Sequence, residues 1–177
     1  MIAWDVGLHY NLFYQHTGLK GQLVTSDKQT ALAYKQFMDG FQIVSTEVLI
    51  SAPSQPEGEN QGSGPSQTEK DFWQAMMDRY GSEQKYNKQL INAFKHGETP
   101  EIIIVVDKLL TGFDAPRNTV LYLARKLKEH TLLQAIARVN RLHEGKESGL
   151  ILDYSGVIES LDEAIDFYSQ LADYDRI

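Results

Sequence analysis

"EIIIVVD", residues 101–107, is the stretch that decides the fold. Ile102, Ile103, Ile104, Val105 and Val106 are all β-branched and show no alternation with polar residues. A strand with one wet face alternates, whereas a strand covered on both faces does not. Unbroken apolar strands are the habit of parallel sheets with helices on either side. The run is also far too short to cross a bilayer.

Outward from this strand, shorter apolar runs read as further strands: Leu23-Val24, Ile43-Val44 with residues 48–50, residues 120–124, and residues 150–153. Helical spacing fills the gaps between them. Residues 4–13 carry Trp4, Leu8 and Leu12, and residues 28–38 follow a Ser26-Asp27 cap. Residues 71–80 and 82–95 follow, the latter with Tyr86, Leu90, Ile91 and Phe94 on one face. Residues 131–142 form another helix, and residues 161–171 a last one capped by Ser160. Strands alternating with helices predict one α/β domain over residues 1–177: three layers, with a mainly parallel sheet flanked by helices. Ligands of such sheets bind beyond the carboxyl ends of the strands, which points to the loops after Val106, Ala124 and Asp153.

A chain of 177 residues supports one domain with a substantial core. It has no cysteine, so disulfides and thiolate metal sites are excluded. The start of the chain lacks the basic and apolar pattern of a signal peptide, and the expectation is a cytoplasmic protein with no membrane partner. The net charge of −7 disfavours a free-standing nucleic-acid binder. Its distribution is uneven. Residues 101–150 hold 8 basic and 6 acidic groups, whereas residues 151–177 hold 1 basic and 7 acidic. From 53 to 68, "PSQPEGENQGSGPSQT" offers no large apolar residue to offset the entropy of ordering, and a flexible insertion is expected there.

Two stretches carry chemistry. "DKLLTGFDAP", residues 107–116, follows the most buried strand. Gly112 lets the backbone turn tightly or approach a ligand, Thr111 offers a hydroxyl, and Asp114 suits a ribose hydroxyl, a metal-bound water or a basic neighbour. A plain connecting turn would use the same residues. On the helix over 131–142, at 100° per residue, Leu132, Leu133, Ala135, Ile136, Val139 and Leu142 share one broad arc. Gln134, Arg138 and Arg141 fall within about 60° of one another on the opposite side. Arginine forks onto phosphate oxygens, but a solvated helix face has this composition too.

"VVDKLLTGFDAP" and "LLQAIARVNR" together resemble the last two motifs (V and VI) of superfamily 2 helicases and translocases. More narrowly, they look like the form in the motor (R, or HsdR) subunit of type I restriction enzymes. The general pattern of the second motif is Gln-x-x-Gly-Arg-x-x-Arg; this chain has Ala137 in place of the glycine. "GKESGLILDYSGV" (145–157) resembles the segment that follows in R subunits, and "KGQLVTSDKQTALAYKQFM" (20–38) the opening of the second motor domain. The resemblance implies a RecA-like second motor domain. Arg138 and Arg141 would be arginine fingers, Gln134, Gly112 and Asp114 nucleotide-binding residues, and Thr111 a residue coupling the nucleotide to DNA. It also implies ATP and Mg2+ as cofactors of the full subunit, held mainly by another domain. Its implied partners are double-stranded DNA, the first RecA-like and nuclease domains of the same subunit, and methylation and specificity subunits.

The sequence lacks the phosphate loop of the first motor domain. Gly145-Lys146 is followed by Glu147 and has no upstream glycine at the needed spacing, so it only mimics one. "DEAI" (162–165) mimics an acidic metal box in the wrong order, and no metal site is expected. The chain is therefore expected neither to hydrolyse ATP nor to cut DNA alone. Two other readings stay open: a half-motor of another superfamily 2 helicase, and a non-enzymatic α/β interaction module.

Overall fold

The computed structural model describes residues 1–59 and 64–159. The elements run α1 (Ile2–Phe13), β1 (Lys20–Val24), α2 (Lys28–Phe41), β2 (Thr46–Leu49), α3 (Gln67–Tyr80), α4 (Glu83–His96), β3 (Ile102–Val105), β4 (Asn118–Leu123), α5 (Glu129–Val139) and β5 (Leu150–Asp153). The strands form one sheet in the order β2-β3-β1-β4-β5, and every pairing is parallel. Their ends are in step. Leu49 pairs with Val105, Val105 with Val24, Val24 with Leu123 and Leu123 with Asp153, giving a straight carboxyl edge.

β3 lies between β2 and β1, and its residues alternate between two buried faces. Ile103 and Val105 enter one apolar cluster with Tyr86, Leu90 and Phe94 of α4 and Leu132, Ala135 and Val139 of α5. Ile102, Ile104 and Val106 enter a second cluster with Ala3, Val6 and Tyr10 of α1 and Ala31, Leu32 and Met38 of α2. All five residues from Ile102 to Val106 are fully buried, which accounts for the missing alternation. Each such side chain contributes roughly 1.5–3 kcal/mol of gross burial energy. The three-layer α/β fold is thus set by this strand and its neighbours. Gly21 on β1 leaves room for two rings: a Cβ there would lie 3.2 Å from both Tyr10 and Tyr122.

Three helices begin on side-chain caps. Asp27 accepts from Thr30 N at 2.7 Å, and Ser66 and Ser82 accept from Glu69 N and Lys85 N at 3.3 Å. α1 turns differently from the stripe at its start. Its buried residues are Ala3, Val6, Gly7 and Tyr10, and Trp4, Leu8 and Leu12 face outward. The small residues Ala3 and Gly7 permit close approach, with Gly7 facing Met38 and Val44. The bulky ones cannot follow.

The stretch expected as a flexible insertion over 53–68 is tied into the fold where it is described. Glu57 is buried and accepts from Ser51 N and Oγ, both at 2.6 Å, and from Asp107 N at 3.1 Å. Lys28 Nζ donates to the carbonyls of Ala52 and Gln55 at 2.6 and 2.5 Å. Gly58 has φ +79, and a Cβ there would lie 2.1 Å from Ser26 O. Ser66 and Gln67 already belong to the cap and first turn of α3. The expected helix over 161–171 and the "DEAI" segment lie outside the described residues. Among the described residues no helix is long and apolar enough to cross a membrane.

Candidate functional site

β3 and β4 are parallel, so the chain between them must return from the carboxyl edge of the sheet to its amino edge. It does so without a helix. Leu110, Phe113 and Ala115 are buried in the cluster shared with α4 and α5, so the crossover runs down that flank of the sheet. At its start, Glu57 receives Asp107 N and Lys108 N, and Asp107 pairs with Arg125. At its end, Arg117 Nη1 donates to Gly97 O at 3.2 Å, and Lys146 Nζ to Pro116 O and Asn118 O at 3.1 and 2.8 Å. Leu109 and Gly112 have positive φ (66° and 67°). These two left-handed residues turn the chain so that Leu110 and Phe113 enter the core while Thr111 and Gly112 stay exposed.

α5 leaves β4 at the carboxyl edge and packs beside this crossover. It begins at Glu129 and ends at Val139, with Asn140 as its C-cap. Two residues of the expected apolar arc differ: Leu133 is half exposed and Leu142 almost wholly exposed. Leu142 lies past the helix end, where helical angles no longer apply. Arg141 also lies past that end, yet it still joins the other polar residues. A cavity of about 310 Å³ is lined by Thr111, Gly112, Gln134, Ala137, Arg138 and Arg141. Five of the six residues singled out in the sequence therefore meet around one opening. The sixth, Asp114, is attached through its carboxylate, which accepts from Arg141 Nη1 at 2.6 Å. Arg138 Nη1 donates to Phe113 O at 2.9 Å, and Gln134 Nε2 lies 3.1 Å from His130 Nε2.

The site thus lies where the crossover passes α5 and the residues that follow it. The loop after Val106 is this crossover, so one of the three loops expected to hold a ligand does supply the site, through Thr111 and Gly112. Its first residues and the loops after Ala124 and Asp153 bond to one another. Arg125 Nη2 donates to Val106 O at 2.9 Å, and Ser155 Oγ to Arg125 O at 3.0 Å. Burial pushes the Asp153 carboxyl up, but hydrogen bonds from Ile158 N, Ser155 and Gly156 N outweigh it and hold the group below the usual carboxylate range. Lys146, the lysine of the phosphate-loop mimic, is nearly buried on two main-chain carbonyls, and burial pulls its pKa down to about 8. It is a staple between the segment after α5 and the end of the crossover, a role that residue order along the chain does not reveal. His130 and the Phe113 carbonyl were likewise invisible to the sequence reading.

Chemically, the cavity presents two guanidiniums, one amide and a hydroxyl beside an open glycine. That donor set fits phosphate oxygens. Among the described residues no group of three His, Cys, Asp or Glu is placed to hold a metal ion.

Comparison with known proteins bears on what this arrangement belongs to. The family model for type I restriction enzyme subunit R domain 3 matches residues 17–156. A protein of Methanocaldococcus jannaschii assigned as the MjaVIIIP endonuclease subunit of a type I restriction enzyme is 32% identical over 164 residues, 87% of this chain and 15% of that protein. The chain spans 8% to 15% of the length of the first curated relatives it matches. Among solved structures, a fragment assigned as an HsdR subunit of a type I restriction enzyme from Vibrio vulnificus YJ016 superposes with a TM-score of 0.58 at 19% identity, over 87% of this chain and 26% of that one. The Pyrococcus furiosus Hef helicase domain gives 0.51 at 14% identity, over 94% of this chain and 28% of that one, so the fold is that of RecA-like helicase domains. The match across residues 17–156 settles the family: this chain belongs to domain 3 of type I restriction enzyme R subunits.

Proposed function

We propose that this chain is the second motor domain of an ATP-dependent, DNA-translocating R subunit, and that Arg138 and Arg141 are its arginine fingers. The observation that carries the reading is the convergence of Thr111, Gly112, Gln134, Arg138 and Arg141 on one cavity from two separate elements. ATP with Mg2+ would be held mainly by another domain and supplies the phosphoryl group to be transferred. Arg138 and Arg141 would donate to its oxygens as negative charge spreads over them, and preorganised guanidiniums are strongest where water is excluded. Gln134 would add an amide donor, and Gly112 would let the backbone come close. Thr111 lies on the same crossover, whose movement would pass the nucleotide state on to double-stranded DNA. The wider assembly proposed is the first motor and nuclease domains of the same subunit, with methylation and specificity subunits, in the cytoplasm.

By itself the chain would release no phosphate from ATP, because its sequence has no phosphate loop, and would cut no DNA, because its sequence shows no carboxylate and lysine cluster of a nuclease. A phosphate-release assay on the chain with DNA present tests this, and turnover abolished by Arg138→Ala would overturn it. In a full-length R subunit carrying this domain, Arg138→Ala should lower ATPase roughly a thousandfold. Unchanged ATPase there would remove the finger assignment.

A further inference from the structure

Asp114 does not line the cavity that gathers the other five residues; its carboxylate is taken up by Arg141. The pair spans 27 positions of sequence, and both side chains are about half exposed, 43% for Arg141 and 54% for Asp114. Arg138 is held differently. Its Nη1 donates to the carbonyl of Phe113, whose ring is buried against Phe94 at a centroid distance of 6.2 Å. A main-chain carbonyl on a buried residue cannot swing away, whereas an exposed aspartate can. The two guanidiniums therefore differ in how readily they are released.

Resting on the reading of Arg138 and Arg141 as phosphate-binding arginines, we propose that Asp114 is a latch. It is the counter-anion that holds Arg141 beside the cavity until a phosphate takes its place, and it is not a ligand of the nucleotide ribose. A carboxylate and a phosphate present the same kind of acceptor to a guanidinium, so one replaces the other without further rearrangement. Because the pair is exposed it is weak, and the exchange is easily driven. Asp114 is then a positioning residue. It keeps Arg141 aimed and neutralised when no phosphate is present, and it competes with phosphate for the same donors.

The test uses this 177-residue chain, titrated with inorganic tripolyphosphate and separately with ATP, read by calorimetry and by the guanidinium NMR signals of Arg141. Asp114→Asn should tighten tripolyphosphate binding about two- to fivefold, and ATP binding by the same factor. Arg141→Ala should abolish that gain when combined with Asp114→Asn, and Asp114→Glu should restore the parent affinity. Glu144→Gln removes the same charge three residues from Arg141 and should give a smaller gain. A gain from Glu144→Gln equal to that from Asp114→Asn would overturn the latch, as would equal or undetectable binding in parent and variant. Weaker ATP binding by Asp114→Asn with unchanged tripolyphosphate binding would overturn it in favour of a ribose contact. The finger reading fails separately, through unchanged turnover of Arg138→Ala in the full subunit, and that result leaves the exchange at Arg141 measurable.

Discussion

Three lysines and two arginines of this domain make opposite use of positive charge. Lys20, Lys28 and Lys146 are buried, and each donates to two main-chain carbonyls: Glu98 and Pro100, Ala52 and Gln55, Pro116 and Asn118. Arg138 and Arg141 each donate to one acceptor on the crossover and present themselves to a cavity. A guanidinium has five N–H donors, so one bond leaves most of the fork available. An ammonium with two short bonds inside the protein has little left to offer a ligand. The lysines close connections between strands, and the arginines keep capacity for something else. The difference lies in burial and in the count of partners, not in charge.

The widest separation between the two groups is expected when stability and turnover are measured on the same variants. Arg138→Ala, with its roughly thousandfold loss of ATPase in a full subunit, should move the urea midpoint of this domain little, since it gives up one partly exposed hydrogen bond. Lys20→Ala should do the reverse. It strands two carbonyls at a site where the residue is 1% exposed, and should lower stability by about 2–4 kcal/mol. Urea unfolding of the isolated domain checks both. A stability loss in Arg138→Ala as large as that in Lys20→Ala would erase the distinction.

A pH series sharpens the same contrast. Burial lowers Lys20 to about 8, with Arg117 pushing the same way, and burial alone lowers Lys146 to about 8. Between pH 8 and the ordinary lysine value of 10.5 the unfolded chain binds more protons than the folded one, so stability rises with pH through that window. Above about pH 10 the trend should turn over. Burial raises Tyr10, Tyr86 and Tyr122 well beyond their usual value, so the folded protein keeps protons that the unfolded chain loses. Urea midpoints from pH 7 to 10 should rise, and Lys20→Met with Lys146→Met should flatten the rise. A flat profile in the parent protein would mean that the buried lysines carry no desolvation cost.

These contrasts also mark what could be read from residue order. The α/β class and the sheet were legible because residues 102–106 are fully buried β-branched residues, a state that leaves a one-dimensional pattern. Helical angles also brought Arg138 and Arg141 together, and both line one cavity, although α5 ends at Val139 and Arg141 lies past it. Which apolar stripe of α1 faces the sheet was not, because the choice turns on Ala3 and Gly7 fitting close, and hydrophobicity alone favours Trp4, Leu8 and Leu12. The tether at Glu57 was hidden in a stretch rich in Pro, Gly and Ser. Its partners are backbone groups of residues 51, 107 and 108 and the Ser51 hydroxyl, and no sequence spacing encodes such bonds. The Asp114–Arg141 pair is hidden likewise, since it depends on a crossover that runs beside α5.

The smallest expected effect tests where α5 stops. Helical angles carried through residue 142 put Leu142 on the apolar arc and Arg141 opposite it. The helix ends at Val139, and Leu142 is 89% exposed while Leu132 is fully buried. Leu132→Ala should therefore cost about 2–5 kcal/mol, whereas Leu142→Gln should change stability by less than about 0.5 kcal/mol. A loss above about 1 kcal/mol in Leu142→Gln would mean that the helix continues and buries that side chain. Arg141 would then be carried around with the helix, away from the exposed turn that brings it to Asp114. A mutation at a surface leucine thus probes the geometry of the arginine next to it.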